Sequence, residues 1–249
     1  MANWQDPQTT GVSAATVGVP RATRDVGLRS YMLSVYNYMA SGVLLTGIVA
    51  LSLAVTGVAQ QIFFGAGLLR WIAIFAPLVY LMIAGGRFQR MSFSGMQMFY
   101  WSFAALMGVS MSVIPLIYTG TSIAQTFFAT AAAYLGLSLY GYTTKRDLGP
   151  IGTFFYMGVV GLIVVMLINI GIGAFTGHVS KGLDMLISVV GVVLFAGLTA
   201  ADTQKVKSMY FYVEGSEMVG KSAIMGALTL YLDFVNMFQF LLSFMGNRR

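Results

Sequence analysis

Long apolar runs separated by short polar breaks occupy most of the chain from about residue 31 onward. Seven of these runs are long enough to cross a bilayer as helices, at about 20 apolar residues per crossing. They cover approximately residues 31–55, 68–86, 96–118, 123–142, 151–175, 185–201 and 222–245. We therefore predict an all-α polytopic membrane protein with seven transmembrane helices.

The segment before the first run is polar and lacks the apolar core of a secretory signal. We expect residues 1–28 to be a flexible cytoplasmic tail and residues 29–249 to form one seven-helix transmembrane domain. The first helix would then direct membrane insertion itself.

The distribution of Lys and Arg predicts the orientation, because these residues concentrate in cytoplasmic loops. With the N-terminus inside, ten of the fourteen fall in inner segments, and the outer ones are Arg70, Lys181, Arg248 and Arg249. We expect a cytoplasmic N-terminus and an external C-terminus. A six-crossing variant with a re-entrant last run stays open, because the chain ends on an Arg pair.

Composition narrows the possible partners. The chain is 57% apolar and 9% charged, against roughly 25% charged residues in soluble domains, so the lipid bilayer is the expected environment. The net charge of +6 comes from basic residues scattered between the runs, and we expect no nucleic-acid binding. The chain has no cysteine, which excludes disulfides and cysteine metal sites.

Two acidic residues differ from the other six in lying on apolar runs: Asp202 closes the sixth run and Asp233 lies within the seventh. The six that lie in tails or breaks are Asp6, Asp25, Asp147, Asp184, Glu214 and Glu217. If the last two runs form an antiparallel hairpin, residues equally far from its turn are level with each other. The midpoint between Asp202 and Asp233 falls inside the predicted turn, at 217–218.

This pairing requires the sixth helix to continue past Lys205 to about residue 210. Two carboxyl groups brought close in a poorly hydrated bundle cannot both ionise cheaply, so they tend to share a proton. A pair of carboxyl groups that shares one proton responds to pH, and the doubly ionised pair attracts a divalent cation. Calcium normally takes about six to eight oxygen ligands. With Thr199 and Asn236 as supporting polar groups, we expect Asp202 and Asp233 to bind Ca²⁺ only weakly and in passing.

Simpler interpretations remain open. Asp202 can be a helix-end acid paired with Lys205 one turn on, and Asp233 can be a structural carboxyl. Arg87 and Arg90 fit ordinary positive-inside loop residues, although either can pair with Asp202.

Catalysis finds little support in the sequence. It contains no HExxH or GxSxG motif. The Ala-Ala-Asp-Thr and Tyr-Leu-Asp-Phe contexts of the two acids differ from those of intramembrane aspartyl proteases. We expect no enzyme activity and no cofactor.

Three segments resemble the bacterial members of the Bax inhibitor-1 family: residues 29–33, Phe195–Lys207 and Ala227–Phe238. The resemblance extends over about residues 29–246. It implies that the last helix is central and wrapped by the other six. It also implies a pH-sensitive calcium leak of the inner membrane, gated by a di-aspartyl pair that falls on Asp202 and Asp233.

The same resemblance implies an arginine that latches onto the first acid. Arg90 fits this role best by its spacing to Gly108, and Arg87 is second. Some relatives carry an acid within the second helix, whereas this chain has none between 68 and 86. Bacterial relatives are also implicated in modulating a membrane-bound quality-control protease, which gives a second class of function: a partner-binding protein without transport.

Overall fold

The computed structural model of the protein describes residues 21–65, 67–176 and 181–249. Seven of its helices are long and apolar enough to cross a membrane. The predicted all-α polytopic fold is confirmed. Strand pairing in the described residues is limited to one isolated antiparallel bridge between Tyr118 and Arg248.

The helices follow one another with short connections. Those that contain the seven candidate spans are α1 (Arg21–Val55), α3 (Gly67–Gly85), α4 (Phe93–Met111), α6 (Gly120–Thr143), α7 (Gly149–Thr176), α8 (Lys181–Val213) and α9 (Met218–Met245). Two short helices, α2 (Val58–Phe64) and α5 (Ile114–Ile117), and a 3-10 helix at Phe88–Arg90 lie between them.

Local signals explain several of the helix boundaries. Ser92 and Thr119 cap α4 and α6, since each hydroxyl accepts a hydrogen bond from the backbone N–H three residues on. Pro115 lies in the first turn of α5, where no backbone N–H donor is needed. Gly57 adopts a positive φ of 79° between α1 and α2, a conformation that glycine adopts without strain.

The last helix is the most buried of the seven spans. α9 packs against α8, α1, α6 and α4, whereas α3 packs on α4 and α7 packs on α8. The centre is rich in aromatic side chains, among them Tyr100, Phe103 and Tyr231, which are almost fully buried. Large apolar side chains on the outer faces are exposed, as expected of helices that face lipid tails.

Several boundaries differ from the sequence prediction. α1 begins at Arg21, so residues 21–28 of the predicted tail are helical, and residues 1–20 lie outside the described residues. The early start has a packing reason, because Leu28 is buried and Gly27 lies against the Tyr210 hydroxyl. The segment between the first two predicted runs, residues 56–67, contains the short helix α2.

The seventh run forms a complete helix rather than a short re-entrant segment. The chain beyond α9 is fixed beside the junction of α5 and α6, where Asn247 N donates to Ser122 Oγ at 2.9 Å. Arg249 N donates to the carbonyl of Ile117 at 2.8 Å in the same place. α9 therefore ends at the opposite end of the bundle from the start of α1.

Candidate functional site: a buried pair of aspartates

Asp202 lies well inside α8 because that helix does not stop at the end of its apolar run. It continues past Lys205 to Val213, which meets the condition on which the pairing with Asp233 depended. The exposed ammonium of Lys205 and the half-buried one of Lys207 allow this extension. Asp202 itself is only 2% exposed and Asp233 only 4%.

Side-chain contacts fix the register between α8 and α9. Ser188 and Ser243 are hydrogen-bonded at 3.0 Å, and the rings of Phe195 and Phe240 stack with centroids 5.8 Å apart. Asp202 follows Phe195 by seven residues and Asp233 precedes Phe240 by seven, so the two acids are level across the hairpin. Asp233 accordingly lies within the electrostatic reach of Asp202.

Asp202 is held by a tyrosine from α7. The Tyr156 hydroxyl donates a hydrogen bond to Asp202 Oδ2 at 2.6 Å. The Lys205 ammonium lies 5.8 Å from the centre of the Tyr156 ring. Among the described residues Lys205 forms no ion pair with Asp202, so a hydroxyl takes the place of the surface ion pair considered above.

Asp233 has no such partner. Its Oδ2 atom is buried and accepts no hydrogen bond from the residues that the structure describes. The hydroxyl of Tyr134, on α6, is also buried without a partner in this part of the chain and lies in the field of both carboxylates. Burying an ionised carboxylate without a partner costs several kcal/mol, so this group requires a proton, a water molecule or a cation.

Small residues bring three helices together around Asp202. A Cβ added at Gly141 of α6 would collide with the carbonyl oxygen of Ala200, and one added at Gly152 of α7 would come within 2.9 Å of Ala201 Cβ. The two alanines immediately before Asp202 therefore let α6 and α7 pack close to α8. This close packing places Tyr156 within reach of the acid.

The loop between α6 and α7 is fastened over the site by α8. Gln204 accepts a hydrogen bond from Leu148 N at 2.8 Å and donates one to the carbonyl of Arg146 at 2.8 Å. Lys207 Nζ donates to the carbonyl of Tyr142 at 2.7 Å. These bonds tie the loop and the last turn of α6 to the part of α8 that follows Asp202.

A cavity of about 620 Å³ leads from this loop to Asp202. Tyr156 and Asp202 line it, and Lys145, Arg146, Asp147 and Lys205 contribute charged groups. Asp233 is not among its lining residues. The pair is thus asymmetric, with Asp202 reached from the cavity and Asp233 lying deeper.

The other predicted site residues form no hydrogen bond or ion pair with the acids in the described part of the chain. Thr199 Oγ1 donates to the carbonyl of Phe195 at 2.7 Å, and Asn236 Nδ2 donates to that of Leu232 at 2.8 Å. Arg87 and Arg90 are exposed at the end of α3 and in the 3-10 helix. Neither arginine forms an ion pair with Asp202 among the described residues.

The donor set fits only a loosely held cation. The described residues contain no group of three His, Cys, Asp or Glu side chains that could hold a metal. Two carboxylates supply fewer than the about six to eight oxygen atoms that calcium takes. Water and carbonyl oxygens would have to complete the coordination.

Sequence reasoning missed Tyr156, although a signal was present. Positions 156 and 202 are almost equally far from the connection between the end of α7 at Thr176 and the start of α8 at Lys181. The rule that pairs Asp202 with Asp233 across one hairpin therefore also pairs Asp202 with Tyr156 across the other.

The protein is a polytopic α-helical membrane protein with seven apolar helices. Its buried acid pair lies on α8 and α9, the two helices that pack most closely. The chain belongs to the Bax inhibitor-1 family. A model of the family described as "Inhibitor of apoptosis-promoting Bax1" matches residues 28–249.

Curated relatives match nearly the whole chain. An uncharacterized protein of Rickettsia prowazekii is 46% identical over 228 residues, covering 91% of this chain and 93% of that protein. An uncharacterized protein of Caulobacter vibrioides is 40% identical over 234 residues, covering 90% and 91%. The inner membrane protein YbhL of Escherichia coli is 38% identical over 232 residues, covering 92% and 95%.

Proposed function

We propose that this protein is a pH-regulated calcium leak of the inner membrane, gated by Asp202 and Asp233. The observation that carries the proposal is the level, buried acid pair, in which one carboxyl oxygen of Asp233 lacks a partner among the described residues. A purely structural acid would be expected to have its oxygens satisfied. An ionisable group inside a membrane bundle points instead to a proton or ion pathway.

The mechanism follows from sharing one proton between two carboxyl groups. With the proton in place the pair carries one negative charge and holds α8 against α9. When the pH rises and the proton leaves, the two charges repel each other and together attract a divalent cation. The leak should therefore increase as the pH is raised.

The cavity beside Asp202 supplies the route to the pair from one face of the membrane. Its basic groups, Lys145, Arg146 and Lys205, outnumber its other acid, Asp147. A cation passing this region is therefore not held strongly. This arrangement supports transient passage rather than storage of calcium.

The proposal includes a latch and an orientation. Arg90, or Arg87, would swing from its exposed position to pair with Asp202 in another state of the protein. The N-terminus would lie in the cytoplasm, as the distribution of Lys and Arg favours. The name of the E. coli relative supports placement in the inner membrane.

Reconstitution into calcium-loaded liposomes tests the proposal. The initial rate of calcium efflux is compared for wild type, Asp202→Asn and Asp233→Asn, with the exposed Asp25→Asn as the matched control. We expect both site variants, but not the control, to lose the dependence of efflux on pH. If wild type gives no efflux above empty liposomes, transport is refuted and a partner-binding role becomes the better hypothesis.

A further inference from the structure

A second polar cavity lies at the other end of α8 from Asp202. Asp184 is in the first turn of α8, eighteen residues before Asp202, and at 1.5 Å per residue the two acids are about 27 Å apart along the helix. This distance approaches the thickness of the bilayer core, about 30 Å. The apolar pattern of the sequence predicts that Asp184 lies in a break, whereas it belongs to the helix.

The cavity has a volume of about 360 Å³ and lies between α7, α8 and α9. Six polar side chains line it: Asn169, Asp184, Ser188, Asn236, Gln239 and Ser243. At about 30 Å³ per water molecule, it has room for a cation together with several of its waters.

Asn169 is the residue that points to a ligand. It is only 3% exposed and lies about two turns before the end of the apolar helix α7. Its Nδ2 atom donates to Asp184 Oδ1 at 2.6 Å, but its buried Oδ1 atom has no hydrogen-bond partner among the described residues. A buried amide oxygen without a partner costs about 1–3 kcal/mol, which a bound cation or its hydration water would offset.

The charge of Asp184 is also not neutralised within the described part of the chain. Lys181 lies one turn away, yet no ion pair joins the two side chains. Asn169 brings its amide to the carboxylate, and Ser188 donates to the backbone carbonyl of Asp184 at 2.8 Å. The cavity therefore combines one negative charge with neutral oxygen atoms, which are the ligands that hard cations prefer.

We infer that this cavity binds a hydrated divalent cation through Asp184 and Asn169, at the opposite end of the bundle from the Asp202 cavity. A single carboxylate makes this a weak site in which the ion keeps part of its water shell. Asn236 lines the cavity and lies one turn from Asp233 on α9, so the bound ion would rest on the helix that carries the acid pair. Binding here does not depend on whether the protein conducts.

Manganese is a suitable probe, because it is a paramagnetic divalent cation with similar oxygen ligands. The chain has no cysteine, so a single nitroxide can be attached at Met185→Cys, which is 58% exposed and next to Asp184. The full chain is placed in phosphatidylcholine nanodiscs. The loss of nitroxide signal is then recorded as Mn²⁺ is added, and the same label at Tyr212→Cys reports on the far end of α8.

We expect a saturable loss of signal at position 185. Asp184→Asn, which can still accept the hydrogen bond from Asn169, should raise the Mn²⁺ concentration for half effect about tenfold or more. Asn169→Leu should raise it as well, whereas Asp202→Asn should leave the curve at 185 unchanged. An Asp184→Asn curve that matches wild type, or no saturable effect at 185, would overturn the inference. Because Asp184→Asn conserves size and hydrogen bonding, the test holds even if Asn169→Leu fails to fold.

Discussion

Replacing Asp233 by asparagine should leave the bundle as stable as wild type, or stabilise it by up to about 1 kcal/mol. Asp233 is 4% exposed and its Oδ2 atom has no partner in the described residues. The change therefore exchanges one unsatisfied buried group for another of the same size, and it removes the cost of a buried charge. Most substitutions of a buried polar residue would instead destabilise the protein.

A matched control is available at Thr46, which is buried to the same extent as Asp233. Its hydroxyl donates to the carbonyl of Ala104 at 2.8 Å and is hydrogen-bonded to the Tyr231 hydroxyl at 2.7 Å. Thr46→Val keeps the shape, but it leaves the buried Tyr231 hydroxyl without its partner and removes the side-chain hydrogen bond to the Ala104 carbonyl. We expect a loss of about 1–3 kcal/mol.

The assay is reversible unfolding in mixed micelles with increasing sodium dodecyl sulfate, which gives the free energy of unfolding of each variant relative to wild type. The difference between Asp233→Asn and Thr46→Val should be at least about 1 kcal/mol, which corresponds to a factor of about five in the unfolding equilibrium. If Asp233→Asn costs as much as Thr46→Val, Asp233 is a structural carboxyl and the reasoning about an unsatisfied acid fails.

Two further predictions concern the surroundings of the pair, and a third concerns the proposed arginine latch. Tyr156→Phe removes the hydrogen bond to Asp202 and should lower the free energy of unfolding by about 1–3 kcal/mol. The control Tyr140→Phe, at an exposed ring of α6, should leave the free energy of unfolding unchanged. Equal effects of the two substitutions would contradict a role for the Tyr156 hydroxyl. Gly141→Ala should destabilise the protein because its Cβ meets the carbonyl of Ala200, whereas Gly136→Ala, on the same helix with nothing within 4 Å of the added atom, should be neutral or stabilising. If Arg90 is the latch, Arg90→Gln should raise calcium efflux from liposomes while Arg87→Gln leaves it unchanged, and the reverse result would assign the latch to Arg87.

The seven helices and the level of the two acids could be predicted because both depend on distances along the chain. A run of about 20 apolar residues has few alternatives to a membrane helix. A tight hairpin fixes which residues lie opposite each other, provided that α8 continues past Lys205, as it does. The sequence alone therefore located Asp202 and Asp233 without knowledge of the other helices.

Contacts between helices with less regular connections could not be predicted in the same way. Tyr156 is found only by applying the hairpin rule to α7 and α8, and the rule does not say which tyrosine on a helix faces inward. The apolar run that predicts α8 starts at Met185, which places Asp184 in a break, whereas α8 begins at Lys181. The unpartnered oxygen of Asn169 is a property of side-chain geometry that no pattern of residue types indicates.

The most direct test of the central proposal is the pH profile of calcium efflux from liposomes that contain wild type or Asp202→Asn, measured between about pH 6 and pH 8. One shared proton allows at most about a tenfold change in the open fraction per pH unit. We predict that wild-type efflux rises with pH within that limit and that the Asp202→Asn profile is flat. Identical profiles for the two proteins would contradict gating by the aspartate pair.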